Sequence, residues 1–211
     1  MSHAADLWLF AVLVFGIIVL PGLDMAFVLG SSLTAGRRHG LMAVAGVTVG
    51  GACLVAMTTL GIGILLKVVP VAFNALLLAG ALYIAWIGIS LLRADSAFGM
   101  QTQNDVAPAW ATFRRGVLTC LMNPKAYLFL LAVFPQFLHA QYGPLWPQAL
   151  VLWIIIAVTQ IAVYGAVAFA AARARSWLLQ RPEAGLVTAR VVGVVLIGAA
   201  LFTGFEGWRS L

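Results

Sequence analysis

Long apolar blocks, each closed by a short polar or basic segment, run from Leu7 to Trp208. They do not alternate over ten-residue stretches as the strands of a membrane barrel do, and each is close to the ~20 residues a helix needs to cross a bilayer. The pattern predicts six transmembrane helices, roughly over residues 7–29, 41–66, 71–92, 117–138, 150–172 and 191–208. A polar hairpin at 31–40 follows the first. Residues 93–112 are rich in Asp, Asn, Gln, Ser and Pro and form a linker. Residues 139–147, with Pro144, Trp146 and Pro147, make a turn at the membrane interface. The expected architecture is an all-α integral membrane protein with a single membrane domain over 1–211. It divides into a first three-helix unit (1–92), the linker (93–112) and a second three-helix unit (113–211).

Composition agrees. The 211 residues are 64% hydrophobic and 9% charged, with a mean hydropathy of +1.07, whereas soluble domains carry about 25% charge. No extramembrane domain fits beside six spans. The net charge of +6 would suggest nucleic acid in a soluble protein. Here the basic residues sit at the ends of apolar blocks, where they set topology, so no nucleic-acid partner is expected. Arg37, Arg38, Arg93, Arg114, Arg115, Arg173, Arg175, Arg181 and Arg190 fall in alternate loops, and only Lys67 and Arg209 fall on the other side. That asymmetry predicts termini outside and the basic loops and linker in the cytoplasm. The first block has no Lys or Arg before it and reads as a first span rather than a signal peptide.

Two spans are interrupted. Pro21-Gly22 breaks the first and is followed by Asp24; Asn123-Pro124 breaks the fourth and is followed by Lys125. A lysine at the centre of a membrane helix costs roughly 2.5–3.5 kcal/mol, and a proline removes one backbone donor. Such features are tolerated where they line a polar cavity. Three spans per unit require the second unit to be inserted upside down relative to the first. Each unit then opens with a broken helix bearing one ion, and inverted repeats with broken helices mark secondary transporters, with the substrate where the breaks meet. Lys125 lies ten residues beyond Arg115, about 15 Å deep and near the midplane. Asp24 reaches the same depth only if the chain bends at Pro21-Gly22.

Asn123-Pro124 reads as a helix N-cap followed by proline at the first helical position. The N–H groups of that helix end attract an anion, so Lys125 in its first turn needs a negative partner. Asp24 or a substrate carboxylate would serve. The competing reading is a fixed Asp24–Lys125 ion pair that only ties two helices together; such buried pairs stabilise weakly compared with apolar packing. Gln136, Gln160, Thr48 and Tyr164 are secondary candidates for lining a cavity, or they bond neighbouring carbonyls. Glu206 is expected near the outer interface, and His39 and His139 in loops. No metal-ligand spacing, nucleophile triad, phosphate loop or dinucleotide motif is present, so neither an enzyme nor a cofactor is predicted. Cys53 and Cys120 lack a CxxC spacing and read as inert thiols. Gly46 and Gly50 stand at GxxxG spacing, which permits close helix approach and with it a homo-oligomer.

The stretch PGLDMAFVLGSSLTAGRRHGLMAVAGVTVG resembles the first block of the LysE/RhtB family of amino-acid exporters, which usually reads PGP followed by an acidic or amide residue. FRRGVLTCLMNPKAYLFLLAVFPQF resembles its second block, with Gly116, Asn123, Pro124 and Lys125 in looser spacing than the family's GxxxNPK. Leu23 stands where the family usually has a second proline. With the six-span layout the resemblance covers essentially the whole chain. It implies proton-driven efflux of an amino acid or close derivative through the bacterial inner membrane, with Asp24, Lys125, Pro21, Gly22, Asn123 and Pro124 on the substrate and proton pathway. Two alternatives stay open: a membrane thiol–disulfide electron conduit of related fold, which would need Cys53 and Cys120 to meet, and an inorganic-ion exporter, which would need clustered ligands that the sequence lacks.

Overall fold

The computed structural model describes residues 3–60 and 108–179 continuously, and isolated positions between 78 and 93 and between 187 and 201. Among the described residues the chain is helical, without strands. Helix α1 spans His3–Val19, α2 Leu23–Thr59, α3 Ala109–Leu121, α4 Pro124–Ala132 and α5 Leu145–Leu179; short 3-10 turns at Phe134–Phe137 and Ala140–Tyr142 join α4 to α5. The predicted third and sixth spans, most of the linker and Glu206 lie outside the described residues.

Both predicted breaks are present. Helix α1 stops before Pro21-Gly22, and α2 restarts with Gly22 as its N-cap in extended conformation. Helices α3 and α4 meet at a 50° bend across Met122-Asn123. The polar hairpin expected at 31–40 is different: it is helical on both sides of one residue, Gly36, at φ 80° and ψ −173°. That left-handed φ is open to glycine at little cost. Residues eight apart in an unbroken helix lie about 12 Å apart along the axis, yet Gly40 packs directly against Ser32. The chain therefore folds back at Gly36, and α2 is two arms, residues 23–35 and 37–59. Arginine is a good helix former, so Arg37 and Arg38 open the second arm instead of lengthening a loop. The linker is also shorter than predicted, because α3 already begins at Ala109.

The second arm of α2 packs on α3 at backbone distance. Gly46 faces Phe113 and Gly116, with a Cβ built on Gly46 lying 3.1 Å from the Gly116 Cα; a Cβ on Gly50 would lie 2.7 Å from that of Cys120. The GxxxG pair is thus occupied within the chain. Its order, Gly46 on Gly116 and Gly50 on Cys120, makes the two helices parallel. Arg37, Arg38, Arg114 and Arg115 consequently share one end of the bundle. The Arg175 Nε–H donates to the Thr34 carbonyl at 3.3 Å, and the Arg37 guanidinium covers the Phe169 ring at 4.2 Å, so the end of α5 joins them.

Helix α1 packs antiparallel to α4 through Phe10, fully buried, whose ring centroid lies 5.7 Å from that of Phe129 and 5.0 Å from that of Phe137. Outward faces carry exposed Trp8, Val12, Phe15, Val158 and Ile161, as helices facing lipid do. Hydroxyls inside the helices, including those of Ser32, Thr48, Thr119 and Thr159, donate to carbonyls four residues back, which satisfies them without water.

Candidate functional site

The two breaks meet. A cavity of about 50 Å³ lies between α1, α2, α3, α4 and α5, lined on its polar side by Asp24, Asn123, Lys125, Gln160 and Tyr164. Helix α3 is 13 residues long, about 20 Å at 1.5 Å per residue, so the cavity lies well inside the bundle from its basic end. At roughly 10–15 Å³ per water, it holds only a few waters in this conformation.

Each break delivers one ion by the same local construction. Gly22 is an N-cap, Leu23 the first helical residue and Asp24 the second; Asn123 is an N-cap, Pro124 the first and Lys125 the second. The Asn123 side chain accepts a hydrogen bond from the Lys125 backbone N–H at 3.1 Å, the capping predicted from Asn-Pro. The Cys120 carbonyl, which Pro124 cannot reach as a donor, accepts instead from the Asn123 N–H at 3.0 Å.

Lys125 has a partner that the sequence reading did not name. Its Nζ donates to the Ile17 carbonyl at 3.0 Å and to the Leu20 carbonyl at 2.8 Å. Pro21 has no N–H to give to the carbonyl four residues back, which is that of Ile17. The lysine takes that place and sits on the negative end of the α1 dipole. Its own position at the positive end of α4 is thereby offset. The stem of Lys125 crosses Gly22, where a Cβ would lie 3.0 Å from Nζ and 3.2 Å from Cε.

Asp24 is 3% exposed, and no ion pair within 4.0 Å joins it to Lys125. Asp24 Oδ1, Asn123 Nδ2 and Gln160 Oε1 are buried without a close hydrogen bond, the Asn123 side-chain amide being turned toward the Asp24 carboxylate. The remaining candidates separate. Gln160 and Tyr164 line the cavity, whereas Gln136, in the 3-10 turn, is exposed and donates to the Ala132 carbonyl at the end of α4, and Thr48 bonds Val44. His139 and His39 lie away from the cavity, His139 near Asp6 and His39 against the Ala35 carbonyl. Cys53 is exposed, Cys120 is buried and lines the cavity, and both are free thiols. Sequence reasoning missed Gly51, whose Cβ position lies 3.4 Å from Gln160 Oε1, and the aliphatic wall of Val14, Leu54, Val55 and Ile156. Spans that are apolar all round carry no periodicity that separates a cavity face from a lipid face.

A model of the LysE-type translocator family matches residues 15–207. The chain belongs to that family. Both breaks and every cavity residue except Val14 fall inside the match. This translocator is 30% identical over 198 residues to an uncharacterised membrane protein of Pseudomonas aeruginosa, covering 92% of each chain. It is 35% identical over 152 residues to a membrane protein of Vibrio cholerae, covering 72% of this chain and 74% of the relative. Similarity to the leucine efflux protein of Salmonella typhimurium reaches 35% over 132 residues, 62% of each chain. No solved structure matches the chain.

Proposed function

We propose that this LysE-type translocator is a proton-coupled secondary exporter of an amino acid or close derivative, acting in the bacterial inner membrane. The observation that supports the reading most strongly is the convergence of two helix breaks on one buried cavity, each bringing one charged residue, Asp24 and Lys125. Helix breaks at depth are where transporters bind substrates and coupling ions. Asp24, the acidic residue among the described lining residues, is the proton-carrying group. Lys125 holds the end of α1 and presents its third N–H and its charge to the substrate carboxylate. Substrate arrival competes for the lysine and loosens α1, which links binding to opening of the cavity. The cavity's small volume fits an occluded state that widens when loaded.

The full architecture in this reading is two inverted three-helix units, with the third and sixth spans completing the bundle. The basic end formed by Arg37, Arg114, Arg115 and Arg175 faces the cytoplasm, and the termini are outside. The leucine efflux protein among the relatives favours an aliphatic amino acid as cargo. The test uses cells fed dipeptides: overexpression should speed the appearance of a free amino acid outside, and an uncoupler should abolish the gain. No change for any of the twenty amino acids or for homoserine would overturn the proposal.

A further inference from the structure

Three polar atoms in the cavity wall lack a close hydrogen bond although their residues are almost fully buried. Asp24 is 3%, Asn123 2% and Gln160 6% exposed. They come from three elements: the first arm of α2, the α3–α4 break and α5. A buried polar atom left without a hydrogen bond is costly, and few native proteins keep such groups in one place without a ligand or ordered water to satisfy them.

The set has a definite pattern. Asn123 is held one way round because its Oδ1 accepts from the Lys125 N–H, so Nδ2 is the donor; it is turned toward the Asp24 carboxylate without closing a tight bond, a gap into which a zwitterion would insert. Asp24 Oδ1 and Gln160 Oε1 are free acceptors. Two acceptors and one donor complement an ammonium beside a carboxylate. The rest of the wall is aliphatic, with Val14, Leu54, Val55 and Ile156, and among the described residues it holds no second acid. A distal ammonium or guanidinium would be desolvated there without a partner among the described residues.

We propose that Gln160 and Asn123 determine specificity in this cavity: Asp24 Oδ1 and Gln160 Oε1 receive the α-ammonium, Asn123 Nδ2 receives the carboxylate, and the aliphatic wall selects an uncharged branched side chain. The inference rests on the amino-acid export reading above and names how that site reads its substrate. Gly51 lies beside this acceptor, where a methyl group would stand at ordinary contact distance, 3.4 Å, from Gln160 Oε1.

The test is equilibrium binding to the purified full-length protein in detergent, with leucine, lysine and leucinamide as probes. Leucine should bind at least tenfold more tightly than lysine, or than leucinamide, which lacks the carboxylate. Gln160→Leu keeps the size but removes the acceptor. Asn123→Asp keeps the helix-capping oxygen but removes the donor. Each should weaken leucine at least tenfold. Unchanged leucine affinity in either variant, or lysine binding as tightly as leucine, would overturn the assignment while leaving amino-acid export standing. Binding of neither leucine nor lysine would overturn the assignment, while amino-acid export itself stands or falls with the dipeptide-fed efflux test. Should Gln160→Leu fail to fold, the wild-type ranking and Asn123→Asp decide the matter.

Discussion

The ammonium of Lys125 occupies the carbonyl of Ile17 at 3.0 Å, the very carbonyl that Pro21 leaves without a backbone donor. A residue of the second break thus completes the helix end created by the first. The lysine's hydrogen bonds go to backbone carbonyls while Asp24 acts on its charge only through space, and the two breaks become one mechanical unit.

Removing that lysine should therefore be a stability event first. Lys125→Met strands the part-buried Ile17 carbonyl, at about 1–3 kcal/mol for a buried group left unsatisfied, and removes the exposed bond to the Leu20 carbonyl. We expect a loss of about 1–3 kcal/mol, read as a lower melting temperature in detergent. The double variant Asp24→Asn/Lys125→Met should regain neither stability nor export, because the partner lost is a pair of carbonyls. Recovery in the double variant would instead indicate an Asp24–Lys125 ion pair.

Gly22→Ala tests the same contact from the other side. The added methyl would stand 3.0 Å from Lys125 Nζ, closer than the lysine tolerates without shifting. Export should fall several-fold with only a modest change in melting temperature, since the helix that starts here keeps its other contacts. Wild-type export in Gly22→Ala would show that the lysine's position over Gly22 is immaterial.

Gly46 should be intolerant for a packing reason. Its Cβ position meets the Phe113 carbonyl and the Gly116 Cα, both backbone, so Gly46→Val must force α2 and α3 apart. Overpacking of this kind costs about 1–3 kcal/mol or more. The loss should appear in thermal melts and should not depend on protein concentration, because the glycine contact is made within one chain. A concentration-dependent loss would point to an interface between copies.

How much was legible in the sequence follows from these same residues. The helix start at Asn123-Pro124 could be read because capping and proline placement are local chemistry. The first break was legible for the same reason. Partners distant in the chain were not: Gly46 announces a close approach without saying that Gly116 supplies it, and Lys125 announces a need for negative charge without naming Ile17. Gln136 and Gln160 give the same signal, a single amide in an apolar run, and only their positions in the fold separate a self-bonded surface amide from a cavity wall. Arg37, Arg38 and His39 look like loop and suggest a polar hairpin over residues 31–40, although one glycine, Gly36, suffices for the turn.

Orientation has its own check. With the basic end in the cytoplasm, reporter fusions after Leu211 should act as exported and those near Gln103 as cytoplasmic. The reverse pattern would invert the orientation, and the same side for both would break the six-span count.

The most direct test of the central claim, that the junction of the two breaks carries proton-coupled amino-acid export, is gradient-driven efflux in proteoliposomes with wild-type protein and Asp24→Asn. The substitution keeps size and removes the only ionisable carboxylate among the described lining residues. The account predicts that wild type moves a preloaded aliphatic amino acid when a proton gradient is imposed. Asp24→Asn, with its melting temperature preserved, should lose at least nine-tenths of that gradient-driven flux. Gradient-driven flux at the wild-type rate in Asp24→Asn would contradict it.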